Sequence, residues 1–177
     1  MAYAFNQMSN PGDQGSSVRD LPVEKRQALL RAKLDEMWEN NEIPTWITHG
    51  SHEEAATAVL DLVAPLSRKY HLEIYGHIVP NEKGYRFTRP QVGHATGGAL
   101  NTSHMGYHTH PGGSLVFSNR DTPRPGGDAD WVRDSGKRLY LGIQQTRRGP
   151  VGIAVCEPGN CPRYGRDGAP GRTIRGF

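Results

Sequence analysis

A chain of 177 residues has the length of one compact domain, and its 35% hydrophobic content with 22 glycines and 13 prolines indicates a loop-rich globular protein. No apolar run approaches the ~20 residues of a membrane-spanning helix, and residues 1–20 lack the apolar stretch of a Sec-type signal, so we expect synthesis in the cytoplasm and no membrane span. The net charge of +3 is concentrated towards the C-terminus, but no aromatic residues are interleaved with the basic ones as in RNA-binding signatures, so we expect no nucleic-acid partner.

The N-terminal part of the chain predicts a tail followed by a helix. Residues 1–20 carry almost no periodic apolar residues, so we expect a disordered tail before a domain over residues 21–157. A helix is predicted to run to about Asn40, with Asp20 as its N-cap and Pro22 in its first turn. The apolar residues at helical spacing in this segment are Leu30, Leu34 and Met37.

A second helix is predicted after Ser51, which has Glu54 at capping-box spacing, and Pro65 lies near its end. Beyond it, "HLEIYGHIV" and "YRFTR" across the turn "NEKG" predict a hairpin, and "SHMGYHTH" predicts a strand that ends at two histidines. "DADWVRDSG" predicts a short helix closed by Gly136, and "RLYLGIQ" and "VGIAVC" predict two further strands. Helices before a mostly sequential sheet favour the α+β class with an α/β/α-like arrangement.

The C-terminal segment, residues 158–177, is rich in Gly and Arg and is predicted to be a basic tail. Such a tail could meet an acidic partner or an anionic surface, although a solvated tail is the simpler interpretation. Cys156 and Cys161 flank a Pro-Gly turn that could bring their sulfurs together. A disulfide and two reduced thiols are both compatible with this spacing.

The main chemical motif is His108-x-His110. Strand side chains two residues apart project to the same side, so both imidazoles can bind one ion. The following Pro-Gly-Gly would end the strand and let the chain turn back, which would bring Asp121 to the site as a third ligand. Two imidazoles and one carboxylate suit Zn²⁺, and three protein ligands leave a fourth tetrahedral position for water. The pattern therefore predicts a catalytic zinc site.

Three further residues complete the predicted site. Glu73 is the candidate general base, because a partner of the histidine strand could present its carboxylate over the metal, whereas Glu82 lies in a turn and should be solvated. Ser118 could donate its hydroxyl to a developing oxyanion, or it could serve only as a turn or helix cap. His104 lies on the same face as His108 and is a candidate to contact a ligand or the substrate, although it could be an ordinary strand histidine.

These residues resemble the signature of the JAMM (MPN-domain) metalloproteases. His108-x-His110-x7-Ser118-x-x-Asp121 matches the family's motif, and Glu73 with Gly76 matches its upstream E-x-x-G. The run "PLSRKYHLEIYGHIVPNEKGYRFTRP…YHTHPGG…FSNRD" is similar to the DUF4329 group of JAMM-like domains, which often end bacterial polymorphic toxins. The resemblance implies a mixed β-sheet flanked by helices, with zinc on the two histidines and Asp121, Glu73 as base and Ser118 at the oxyanion.

The resemblance also implies a function and partners. We expect a zinc-dependent peptidase or isopeptidase that serves as a toxin or effector and cuts a protein or a peptidoglycan peptide. An immunity protein and a specialised secretion system would then be its partners. The "TPRPGG" that follows Asp121 departs from the helix of the typical members, and we see none of the insertions that grip ubiquitin. The alternative is a binding module that keeps the fold and the metal without catalysis.

Overall fold

The computed structural model describes residues 17–94, 100–118, 127–161 and 169–177. Most of the predicted N-terminal tail, residues 1–16, therefore lies outside the described residues. Within the described ranges, three α-helices and one mixed sheet of seven strands make up the fold, which confirms the predicted α+β class. None of the helices in these ranges combines the length and the apolar character needed to cross a bilayer.

The helices begin and end close to the predicted positions. A 3-10 turn, Val18–Asp20, precedes α1 (Val23–Glu39), whose N-cap is Pro22 rather than the predicted Asp20. Helix α2 (His52–Tyr70) is capped by Ser51, whose hydroxyl accepts the backbone N–H of Glu54 at 3.1 Å, and it continues through Pro65. Helix α3 (Asp128–Ser135) ends at Gly136 in the left-handed conformation, as predicted.

The strands include all of those expected from the sequence, together with two others. Their bounds are β1 (Ile74–Asn81), β2 (Gly84–Phe87), β3 (Gln91–Val92), β4 (Met105–Thr109), β5 (Leu139–Gln144), β6 (Val151–Cys156) and β7 (Arg172–Arg175). The sheet order is β2-β1-β4-β5-β6-β7, and β3 pairs with the first part of β1. Strand β7 lies within the segment that the sequence assigns to a basic tail, and its pairing with β6 adds this part of the segment to the sheet.

The strand directions determine which strand ends lie beside the motif histidines at one edge of the sheet. Strands β4 and β5 run parallel, and the connection between them contains α3. Strand β1 is antiparallel to β4, so the start of β1 and the end of β4 meet at one edge of the sheet. The buried hydroxyl of Thr109, the last residue of β4, accepts the backbone N–H of Ile74 at 2.9 Å and ties the two strand ends together.

Helices cover both faces of the sheet. Every residue of β5 and β6 is buried, and alternate side chains contribute to two separate clusters. In β5, Tyr140 packs with α1 and α2, whereas Leu139 and Leu141 pack with Ala129 and Val132 of α3. The sheet is thus the middle of three layers, and the histidine strand β4 contacts both outer layers.

Gly76 shows why a small residue is needed within β1. A Cβ at this position would lie 2.3 Å from the phenolic oxygen of Tyr107 in the neighbouring strand. The Tyr107 ring instead lies against the backbone of β1, and its hydroxyl donates to the carbonyl of Thr88 at 2.8 Å. The glycine of the E-x-x-G motif therefore has a packing role beside the site.

Candidate metal centre

The two histidines of the motif come together at the end of β4. His108 is the fourth of the five residues of this strand and His110 follows its last residue, and their Nε2 atoms are 3.2 Å apart. The Nδ1 of His108 lies 3.0 Å from the carbonyl oxygen of Tyr140, which can only accept a hydrogen bond. In the neutral imidazole Nδ1 therefore carries the proton, and the Nε2 lone pair of His108 is then available to a metal ion.

Asp128 provides a carboxylate next to these imidazoles. Its Oδ2 lies 3.2 Å from Nε2 of His108 and 3.4 Å from Nε2 of His110. The three ligand atoms all lie within 4.8 Å of one another, so the group could hold a metal ion. Two imidazole nitrogens and one carboxylate oxygen form a donor set that suits zinc and other divalent transition metals.

Asp128 is the first residue of α3, and Ser118 fixes it there. The backbone N–H of Asp128 donates to Ser118 Oγ at 3.0 Å, and the N–H of Ser118 donates to Asp128 Oδ2 at 2.7 Å. This reciprocal pair fixes the start of α3 at the end of the loop from β4. Ser118 is exposed, and its hydroxyl donates to no other described residue, so its proton can interact with a bound molecule.

The sequence predicts Asp121 as the third ligand, and this residue lies outside the described residues. Sequence reasoning did not select Asp128, although it identified the helix that Asp128 begins. Two signals were available in the sequence. An acidic residue directly after Gly-Gly starts that helix, and it follows Ser118 by ten residues. A residue at the N-terminus of a helix between β4 and β5 could place its carboxylate close to the end of β4.

Glu73 lies beside the three ligand atoms without belonging to that group. It directly precedes β1, and its backbone is fixed by hydrogen bonds of 2.7 Å with the His94 carbonyl and 2.8 Å with the Gly93 N–H. Its Oε1 is 3.7 Å from Nε2 of His110. The residue is nearly buried, at 8% exposure, and this burial raises the pKa of Glu73 to about 8. The charge of His110 acts to lower this pKa, and the charge of Asp128 acts to raise it.

The charges within the cluster act on one another. Burial opposes ionisation of both groups, but the mutual attraction and hydrogen bond of His108 and Asp128 outweigh it. As a result the pKa of His108 is raised and the pKa of Asp128 lies well below its usual value, with His110 also contributing to the latter. The aspartate is therefore a carboxylate in this site, which is the form that binds a cation.

His104 occupies a different part of the strand. It is exposed, it precedes the first residue of β4, and its ring lies 6.5 Å from that of His77 in an edge-to-face arrangement. His108 lies four residues further along, at the other end of the same strand. The structure thus brings His108, His110, Glu73 and Ser118 into one region and places His104 apart from it.

Comparisons of this chain with protein-family models, with curated proteins and with solved structures found no match.

Proposed function

We propose that this protein is a zinc-dependent peptidase or isopeptidase of the JAMM type. In this proposal His108, His110 and Asp128 hold the metal and Glu73 handles the proton. The observation that carries the proposal is the position of Glu73, a nearly buried carboxylate 3.7 Å from one imidazole and outside the group of ligand atoms. A base beside three ligands is the arrangement that metal-assisted hydrolysis requires.

Bound zinc would lower the pKa of a water molecule towards ~7 and polarise the carbonyl of the scissile bond. Glu73 accepts the proton of the attacking water and returns it to the leaving amine. The hydroxyl of Ser118 donates to the carbonyl oxygen as negative charge develops there. Ser118 Oγ accepts the backbone N–H of Asp128 at 3.0 Å, and the hydroxyl proton of Ser118 remains available to donate to the carbonyl oxygen.

The JAMM assignment is supported by the order and placement of the elements. A helix precedes the strand that begins after Glu73, the histidine strand follows, and the acidic residue at the start of α3 completes the group. The proposed ligand differs from the motif-derived Asp121, and replacing each aspartate separately tests this assignment. We also propose that the sheet is of the JAMM/MPN type and that the domain is similar to the DUF4329 group.

We further propose that the protein is a toxin or effector domain that is exported to act on a protein or a peptidoglycan peptide. Cys156 and Cys161 form a disulfide, which supports export because disulfides persist in oxidising compartments. An immunity protein that binds the domain before export would protect the producing cell. A specialised secretion system would carry it.

The metal assignment is tested by metal analysis of purified variants. We expect about one zinc per wild-type chain, and loss of zinc from His108→Ala and from Asp128→Ala, because each removes one of three ligands. Asp121→Ala should keep its zinc. If Asp121→Ala loses zinc and Asp128→Ala retains it, the ligand assignment made here is wrong, and a wild type that cannot be loaded with zinc contradicts the proposal as a whole.

The role of Glu73 is tested by Glu73→Gln, with Glu82→Gln as the matched control in the β1–β2 turn. Cleavage is followed by mass spectrometry on a peptide library prepared from a bacterial proteome. Glu73→Gln should keep its zinc and lose a factor on the order of 10² to 10⁴ in cleavage rate, because the amide cannot accept the proton. Glu82→Gln should retain the wild-type rate.

Two results would contradict this role. Loss of zinc in Glu73→Gln would make Glu73 a ligand. An unchanged cleavage rate would leave hydrolysis without its base, and a metal-bearing binding module would then be the better account.

A further inference from the structure

A basic groove lies at the same edge of the sheet as the candidate metal centre. Its volume is about 480 Å³, and it is bounded by the 3-10 turn before α1, the last turns of α2 and the end of β5. The lining residues that matter here are Ser17, Arg19, Arg68, Lys69, Gln144 and Arg147. Four of these six carry a positive charge and none carries a negative one.

The cations of the groove are held in place by contacts that leave their charge available. Arg19 donates to the carbonyl of Arg68 at 2.8 Å, and Arg68 donates through Nε to the carbonyl of Gln145 at 3.2 Å. The ammonium of Lys69 lies 5.3 Å from the centroid of the Tyr70 ring. These partners are carbonyls and a ring, so the contacts neutralise none of the charges. Arg147 has no acidic partner within the described part of the chain.

A short chain of hydrogen bonds joins the groove to the loop that follows His110. Gln145 directly follows β5, its carbonyl accepts from Arg68, and its side-chain amide donates to the carbonyl of Gly113 at 3.1 Å. Gly113 lies three residues after His110. The parallel pairing of β4 and β5 places the ends of both strands at one edge, so the groove and the metal centre flank the same loop.

We propose that this groove binds an acidic peptide segment and selects substrates that carry carboxylates close to the scissile bond. The inference rests on the proposed peptidase function, because it assigns the groove to the substrate of that site. The cluster of four cations attracts carboxylates, and the groove is larger than a single small anion needs. The exposed hydroxyl of Ser17 accepts the backbone N–H of Arg19, and its own proton can donate to the main chain of a peptide.

The lining of the groove distinguishes a peptide from a nucleic acid. Single-stranded nucleic acids bind where aromatic side chains stack on successive bases along a basic groove. Tyr70 already lies beneath Lys69 and is nearly buried, and the lining residues include no aromatic ring. The groove thus offers charge without a stacking platform, which favours an acidic peptide.

The test compares two double variants that remove the same charge. Lys69→Gln/Arg147→Gln changes the groove. Lys33→Gln/Lys83→Gln removes the half-exposed Lys33 of α1, which pairs with Glu36, and the exposed Lys83 of the β1–β2 turn. Fluorescence anisotropy follows the binding of labelled octaglutamate, octaglutamine and octathymidylate at low salt. Because the variant removes two of the four cations, it should bind octaglutamate about fivefold or more weakly than wild type. The control should stay within about twofold of wild type.

A second measurement uses the cleaved sequences of the peptide library. Wild type and the control should show Asp and Glu enriched near the cleaved bond, and the groove variant should lose this enrichment while retaining its zinc. Equal binding of octaglutamate and octaglutamine, equal weakening in both double variants, or tighter groove-dependent binding of octathymidylate would each overturn the inference.

The two measurements also separate this inference from the proposed function. Cleavage without acidic enrichment overturns the groove assignment and leaves the peptidase standing. Groove-dependent octaglutamate binding in a protein that neither holds zinc nor cleaves peptides would overturn the peptidase proposal and leave an acidic-peptide surface.

Discussion

The two faces of the sheet are built in different ways. The face covered by α1 and α2 is an extended apolar cluster, in which two long helices pack on alternate side chains of the strands. The face covered by α3 has a smaller cluster and a helix of only eight residues, and this helix begins at the carboxylate of the candidate metal centre. One face therefore supplies most of the buried apolar side chains, and the candidate ligands of the metal centre lie towards the other face.

This difference suggests that stability and metal binding can be changed separately. Burial of apolar side chains is the main favourable term in folding, and it is concentrated on the α2 face. In the proposed site, metal affinity depends instead on how firmly His108, His110 and Asp128 are held. Substitutions on the first face should lower the free energy of unfolding, whereas small polar changes on the second should alter the site.

The largest effect on stability is expected from Leu60→Ala. Leu60 is fully buried, and α2 approaches β5 so closely that a Cβ at Gly142 would lie 2.9 Å from the Leu60 side chain. Removing this side chain leaves a cavity, which should lower the free energy of unfolding by about 2–5 kcal/mol in urea titrations. The zinc content of the folded protein should not change.

Leu29→Ala provides the matched control, because Leu29 on α1 is 45% exposed. This variant should lie within about 0.5 kcal/mol of wild type. Equal losses in the two variants, or loss of zinc from folded Leu60→Ala, would show that the two faces are not separable in this way.

The same contrast explains how much could be predicted from the sequence. The amphipathic pattern of α2, its Ser51 cap and the β1–β2 hairpin were all predicted, because local periodicity and capping determine them. Asp128 was not selected as a ligand, because its approach to His108 depends on the path of a long connection and not on strand or helix periodicity. Strand β7 was not predicted for a similar reason. Its short, exposed, Arg-containing sequence has no apolar alternation, and it forms a strand by pairing with β6, which the sequence of β7 alone does not indicate.

An intermediate effect is expected from the disulfide on the α3 face of the sheet. Cys156 ends β6 and is joined to Cys161, which packs against the α3 cluster. Because the closed loop is short, Cys161→Ser should lower the free energy of unfolding of the metal-free protein by about 2 kcal/mol. A non-thiol reductant should destabilise the wild type by a similar amount and leave the variant unchanged. An unaffected wild type would show that this bridge does not contribute to stability.

The smallest effects are expected from two serines that occupy similar positions on opposite faces. Ser51 accepts a backbone N–H in the first turn of α2, and Ser118 accepts the N–H of the first residue of α3, at 3.1 and 3.0 Å. Each alanine variant should lose about 1 kcal/mol or less of unfolding free energy, because each removes one side-chain acceptor from a backbone N–H at the start of a helix. Stability alone should therefore not distinguish them.

Zinc affinity should distinguish these two variants, because only Ser118 contacts a proposed ligand. Ser118→Ala removes the acceptor that holds the start of α3, so Asp128 gains freedom and zinc affinity should fall by about tenfold in competition with a chelator. Ser51→Ala should bind zinc like the wild type. If both bind equally, the backbone N–H of Ser118 that reaches Asp128 Oδ2 at 2.7 Å is enough to position the carboxylate. The hydroxyl of Ser118 would then act only on the substrate, and its loss would be seen in the cleavage rate alone.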